Sequence, residues 1–151
     1  MLLSTLCYIQ KDGRTLLLHR TKKKDDVNSG KWIGIGGKPE PGESPLDCVM
    51  REAKEESGLT LIDPVLRGVI TFASDKYETE YMFLYVCRDY NGTPAKDCDE
   101  GVLEWVEDEK IDSLPLWEGD RVFLPLIKGE RPFFCLKLIY LGDRLTEARF
   151  E

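Results

Sequence analysis

The residues best suited to chemistry lie between positions 43 and 56, where four glutamates and one arginine stand close together: Glu43, Arg51, Glu52, Glu55 and Glu56. Glu52 and Glu56 are four residues apart and Glu55 is three from Glu52, spacings that bring side chains together on one face of a helix. Carboxylates so placed repel one another, and a divalent cation turns that repulsion into attraction. With oxygen as the only donor, a hard ion is favoured over zinc. Mg²⁺, or Mn²⁺ in its place, takes one or two carboxylates together with waters and phosphate oxygens. A site of that kind is suited to holding phosphate oxygens beside the ion. For any single glutamate a solvated acidic face is the simpler explanation, and Arg51 can pair with Glu55 one turn on. The weight rests on the set.

These side chains need a helix to hold them, and the segment from Ser44 to Gly58 is punctuated as one. Ser44 can cap the N-terminus, Pro45 suits the first helical position, Asp47 complements the positive end of the dipole, and Gly58 suits the C-terminal exit. Leu46, Val49, Met50 and Ala53 recur at helical spacing, which predicts the stripe that faces the core. Upstream, Leu2 to Ile9 and Thr15 to His19 flank a turn centred on Asp12-Gly13, the signature of a hairpin. A polar loop, Thr21 to Lys31, leads into Trp32-Ile33-Gly34-Ile35 and a glycine-rich turn. Downstream, Val65 to Phe72, Tyr81 to Cys87 and Val102 to Val106 are rich in β-branched and aromatic residues and predict strands. Gly119 to Ile127 predicts a second helix, interrupted or ended near Pro125, and Phe133 to Tyr140 a last strand. The expectation is one α/β domain over residues 1–151, with helices packed on a mixed sheet.

Composition narrows the partners. With 42% hydrophobic and 32% charged residues over 151 positions, the chain can bury a core without disulfide or metal staples. No apolar run approaches a membrane span and no basic region precedes the short apolar start, so no membrane partner and a cytoplasmic location are expected. Cys7, Cys48, Cys87, Cys98 and Cys135 are widely spaced, without a Cys-x-x-Cys pair and with His19 the lone histidine. Reduced thiols fit that pattern better than disulfides or a zinc site. A net charge of −7 argues against binding a nucleic-acid polymer through its backbone. If the substrate is a phosphate ester, a metal ion must offset its repulsion from so acidic a protein. A monomer is compatible with the sequence, which says nothing further of assembly.

From Gly37 to Leu59 the chain resembles the Nudix box, G-x5-E-x7-R-E-U-x-E-E-x-G-U, where U is aliphatic. It matches at Gly37, Glu43, Arg51, Glu52, Glu55, Glu56 and Gly58, and Ala53 is smaller than the aliphatic residue usual at the first U. The resemblance implies an α/β/α sandwich that hydrolyses a nucleoside diphosphate linked to another group. By position it makes Glu52, Glu55 and Glu56 metal ligands, joined by the carbonyl of Gly36, and makes Arg51 and Glu43 partners that orient the helix. It leaves the proton acceptor open among Glu52, Glu55 and a residue outside the helix.

The likeness extends to MutT-like enzymes of oxidised purine nucleoside triphosphates. It runs through Lys31-Trp32 with Gly34, Gly36-Gly37-Lys38, Gly92-Thr93-Pro94, Asp99-Glu100 with Trp105, Trp117 with Asp120, and Phe123-Leu124-Pro125-Leu126. It implies that Glu100 is a further metal ligand or base, that Trp117 stacks on the nucleobase and Asp120 bonds its edge, and that Thr5 and Lys23 lie near the nucleotide. The plain alternatives are an acidic loop around Glu100, packing of Trp117 against the last helix, and a solvated loop at Lys22-Lys23-Lys24. Two departures stand out. Ile33 replaces an asparagine of the oxidised-purine enzymes, and Gly119 precedes Asp120 where they carry paired acids. Neither residue can supply the polar contact a base-specific pocket needs, which weakens 8-oxoguanine recognition and leaves hydrolysis untouched. The expected function is pyrophosphohydrolysis of a (deoxy)nucleoside triphosphate, 8-oxo-dGTP among the candidates, to monophosphate and pyrophosphate. The alternatives are an ADP-sugar pyrophosphatase and a non-catalytic nucleotide-binding regulator; the intact glutamates oppose the second.

Overall fold

The computed structural model describes residues 1–151. Its first hairpin forms at the Asp12-Gly13 turn: β1 (Leu2–Lys11) and β2 (Arg14–Arg20) pair antiparallel with Lys11 opposite Arg14. Asp12 and Gly13 both have positive φ, the conformation that a tight hairpin turn requires. The short β3 (Trp32–Ile33) pairs with β2, and α1 (Pro45–Ser57) follows. Next come β4 (Thr60–Ile62), β5 (Val65–Ser74), β6 (Glu80–Cys87), β7 (Asp89–Asn91), β8 (Asp97–Cys98) and β9 (Gly101–Glu107). A 3-10 turn at Asp108–Ser113 leads to α2 (Asp120–Lys128) and a closing hairpin, β10 (Phe134–Leu141) and β11 (Arg144–Phe150).

The main sheet runs β11-β10-β5-β6-β1-β2-β9-β8, with β3 beside β2, while β4 and β7 pair separately. β1 lies parallel to β6 and β10 parallel to β5, and the remaining pairs are antiparallel, so the sheet is mixed. Strand alternation divides the core into two halves. Leu6, Tyr8 and Leu17 pack with Phe123 and Ile127 of α2. Their sequence neighbours Cys7, Ile9, Leu16 and Leu18 point the other way, against Val49 and Ala53 of α1. One helix on each face makes the expected α/β/α sandwich. Each fully buried leucine or isoleucine contributes about 1.5–3 kcal/mol of apolar transfer. No helix is long and apolar enough to cross a membrane, and all five cysteines are free.

Three local expectations need correction. The buried face of α1 is Cys48, Val49, Ala53, Glu56 and Ser57, whereas Leu46 is 44% exposed and Met50 half-buried. The helix is rolled so that its buried face is centred nearer Val49 and Glu56, which draws a carboxylate inward. α2 continues past Pro125 to Lys128, because Phe123 and Ile127 are buried on the same face and outweigh the one N–H that proline lacks. The last predicted strand is followed by β11, an edge strand whose side chains are nearly all exposed. Without an apolar face it has no period-two signal.

Candidate active site

The glutamate helix is fixed at both ends. The Ser44 hydroxyl accepts the Asp47 N–H at 3.1 Å and the Asp47 carboxylate accepts the Ser44 N–H at 3.0 Å. This reciprocal cap is worth about 1 kcal/mol. Gly58 exits at φ 78°, the left-handed conformation glycine adopts most readily. Within this frame Arg51 ties the helix to the turn before it. Its guanidinium grips Glu43 bidentately at 2.7 and 2.9 Å, reaches Glu52 at 2.8 Å and Glu55 at 3.2 Å, and donates to the Lys38 carbonyl at 3.2 Å. These bonds from Arg51, aided by the Glu40 N–H, hold the Glu43 carboxyl down at about 2. Arg51 and Glu43 thus join the helix to the turn that precedes it.

The turn itself depends on missing side chains. A Cβ on Gly36 would lie 2.0 Å from the Thr5 carbonyl oxygen, and one on Gly37 would lie 2.5 Å from the Glu52 carboxyl carbon. At Gly36 only glycine lets the backbone pass this close to β1, whereas at Gly37 the neighbour is the end of the Glu52 side chain. Thr5 completes the seam. Its N–H donates to the Gly37 carbonyl at 2.7 Å, and its hydroxyl donates to the same carbonyl at 3.2 Å and lies 3.3 Å from Cys48 Sγ. Thr5 borders the cleft described below with its hydroxyl bonded inward.

Glu56 is 7% exposed and its Oε2 has no hydrogen-bond partner. Burial, with the neighbouring Glu100 and Glu52 carboxylates, pushes its pKa up to about 9. Glu100, on the turn between β8 and β9, is held by Arg20 at 2.7 Å and Lys23 at 3.1 Å. Glu52 is held by Arg51. A buried carboxylate without a counter-charge costs several kcal/mol, and a cation shared with its neighbours removes that cost. An orphan carboxylate oxygen beside two further carboxylates, with no sulfur or imidazole donor, fits a hard divalent cation. No three acidic side chains close on one point as they stand. Glu52 and Glu100 must turn from their arginines to share an ion. Glu55 remains apart, 59% exposed and bonded to Arg51.

A cleft of about 640 Å³ opens beside this cluster and gathers Thr5, Lys23, Gly36, Arg51, Glu52, Glu100, Trp117 and Asp120. Glu55 and Glu56 do not line it. Its lining also includes Leu6, Ile33, Phe72 and Met82, interspersed with polar side chains such as Ser4, Asn28 and Glu80. Trp117 is half-buried there, its edge toward Tyr140 at 5.8 Å and its indole N–H donating to Asn28 Oδ1 at 2.8 Å. Asp120, the first residue of α2, is 4% exposed. Burial raises its pKa to about 7 against the pull of Lys31 and Arg121. The missing acid at position 119 has a steric reason: a Cβ there would lie 2.6 Å from Leu138 Cδ1 and from the Tyr140 hydroxyl, which accepts the Gly119 N–H. The sequence reading overlooked Arg20, Asn28 and Tyr140. Arg20 sits at the end of an apolar strand and Asn28 in a polar loop, so neither carries a periodic or motif signal.

Residues 3–127 match the NUDIX domain family. An oxidized purine nucleoside triphosphate hydrolase of Danio rerio is 36% identical over 151 residues, covering 99% of this chain and 94% of the relative. A CTP pyrophosphohydrolase of Escherichia coli is 41% identical over 123 residues, covering 80% of this chain and 84% of the relative. The crystal structure of a MutT protein from Bacillus halodurans superposes with a TM-score of 0.89 at 27% identity, covering 100% of this chain and 98% of that one. Its sequence, its fold and the glutamate helix beside its cleft agree, and the chain belongs to the Nudix family as a MutT-like Nudix hydrolase.

Proposed function

We propose that this protein is a Mg²⁺-dependent nucleoside triphosphate pyrophosphohydrolase that releases a nucleoside monophosphate and pyrophosphate. The observation that carries the reading is the joining of two environments in one cleft: carboxylates around the orphan oxygen of Glu56, and a pocket with Trp117 and Asp120. Phosphates suit the first and a base suits the second. Glu52, Glu56 and Glu100 would hold the cation, which when bound neutralises phosphate charge and activates water. The carbonyl of Gly36, which lines the cleft, and Glu55, one residue before Glu56, would be further oxygen donors. Arg51 keeps the helix and turn in register, and Lys23 stands where a phosphate oxygen can replace Glu100 as its partner. Trp117 offers a ring for stacking and Asp120 a hydrogen-bonding edge. With one relative a purine and another a cytidine enzyme, the base is left to the cleft's own polar groups.

The test is a panel of nucleoside triphosphates, 8-oxo-dGTP and CTP included, and nucleoside diphosphate sugars, assayed with and without Mg²⁺. Equal amounts of monophosphate and pyrophosphate from a triphosphate are expected. Release of orthophosphate and a diphosphate, or turnover confined to the sugars, would overturn the reading.

Gly37→Ala tests the seam separately. The added methyl meets the far end of a side chain, so Glu52 should move while the fold persists. Turnover is expected to fall roughly 10²-fold, the effect of displacing a catalytic group by about 1 Å, with an unchanged far-ultraviolet circular dichroism spectrum. Full activity would show that Glu52 is not held by this contact.

A further inference from the structure

Asn28 is a side chain whose hydrogen bonds leave only one role open. Its backbone N–H donates to Asp26 Oδ1 at 3.1 Å and its carbonyl accepts the Lys31 N–H at 2.9 Å. Its Oδ1 accepts the Trp117 indole N–H at 2.8 Å. Because that indole nitrogen can only donate, the amide orientation is determined, and the free group is the Nδ2 amine, two donors and no acceptor. Asn28 lines the cleft together with Trp117, Asp120 and Tyr140, on a stretch where Ile33 contributes no polar atom. The loop beneath it is anchored: Asp26, which holds the Asn28 N–H, is bonded to Arg20 at 2.8 Å, and Arg20 also holds Glu100. The Lys31 ammonium stands 5.1 Å from the Trp117 ring centre yet does not line the cleft, which leaves the cleft side of the ring for a ligand.

We propose that Asn28 is a specificity-determining residue: it locks the Trp117 ring in its stacking position and donates its Nδ2 hydrogens to an exocyclic carbonyl oxygen of the nucleobase. The inference rests on the nucleotide reading above and deepens it. A keto oxygen accepts from the amine, whereas an exocyclic amino group in the same place presents a second donor and leaves both unpaired. The site therefore favours a 6-oxopurine over a 6-aminopurine.

The experiment uses product nucleotides, GMP and AMP, binding to the whole protein without metal, read by quenching of tryptophan emission. Asn28→Asp keeps an acceptor for the Trp117 N–H and removes the donors. It should leave the unliganded emission spectrum unchanged, weaken GMP roughly 10-fold to 100-fold, and change AMP by less than about threefold. Asn28→Leu removes both functions and should shift the emission and weaken both nucleotides together. Equal losses for GMP and AMP in Asn28→Asp, or no loss for either, would overturn the inference. Failure of the wild type to bind either nucleotide would instead strike the nucleotide reading on which it rests.

Discussion

Glu56→Gln is expected to abolish turnover and, in the same protein, to stabilise the metal-free fold. The two effects share one cause. Glu56 is buried with an orphan oxygen beside Glu52 and Glu100, so its charge is tolerable only when a cation is present. Removing that charge removes the cation's anchor, with a loss of roughly 10³-fold or more in rate. Without metal, the amide can donate to the same two carboxylates without first taking up a proton, as the buried acid must. Since the folded pKa is raised to about 9 from an ordinary 4.5, the stability this group contributes is fully present below about pH 4.5. It is lost as the pH rises toward 9. The advantage of the glutamine variant should thus grow with alkalinity, on the order of 4 kcal/mol between pH 5 and 8 at about 1.4 kcal/mol per unit. Urea denaturation in a chelator at both pH values checks this. A variant that is no more stable than the wild type at pH 8 would mean that Glu56 already has a counter-charge.

Asp120→Asn should give the second large effect, on the pH dependence of stability. Burial lifts the Asp120 carboxyl to about 7 from 3.8, opposed by Lys31 and Arg121. Its contribution is present below about pH 4 and lost as the pH rises through 7, so the penalty is complete at pH 8. The asparagine variant should be more stable at pH 8 by about 4 kcal/mol, and little different at pH 4. In a chain of this size the gain at pH 8 corresponds to roughly 8–16 °C in Tm. A constant difference across that range would show that Asp120 does not titrate there. If the base is read through this edge, the same change alters nucleotide selectivity, because an ionised carboxylate only accepts whereas an amide also donates.

The parts of the protein legible in its sequence were those with a local physical cause. Ser44, Asp47 and Gly58 act on their own helix, and the Asp12-Gly13 turn acts on its own hairpin. The Nudix box was readable by its resemblance to a known pattern, and helical spacing added only that Glu52, Glu55 and Glu56 share one helix. Tertiary consequences were less visible. Leu46 belongs to the apolar period yet is exposed, because the helix rolls Glu56 inward, a preference no apolar count would favour. β11 was invisible because an exposed edge strand needs no hydrophobic alternation. Asn28 and Arg20 act across the chain, on Trp117 and Glu100, and such pairings exist only after the sheet has brought the loops together. Gly119 gives the sharpest contrast. In the sequence it is a missing acid; in the fold a side chain there would have to displace the buried ends of Leu138 and Tyr140.

The central claim is that the carboxylates beside the cleft form a divalent cation site that Glu56 completes. The most direct measurement is a calorimetric titration of Mn²⁺ into the nucleotide-free protein at pH 6.5 and pH 8.5, for the wild type and Glu56→Gln. Because the cation displaces the proton that burial places on Glu56, wild-type binding should release protons and tighten as the pH rises. The glutamine variant should lose that tightening and most of its affinity. Equal Mn²⁺ affinity in the two proteins, unaffected by pH, would contradict the account.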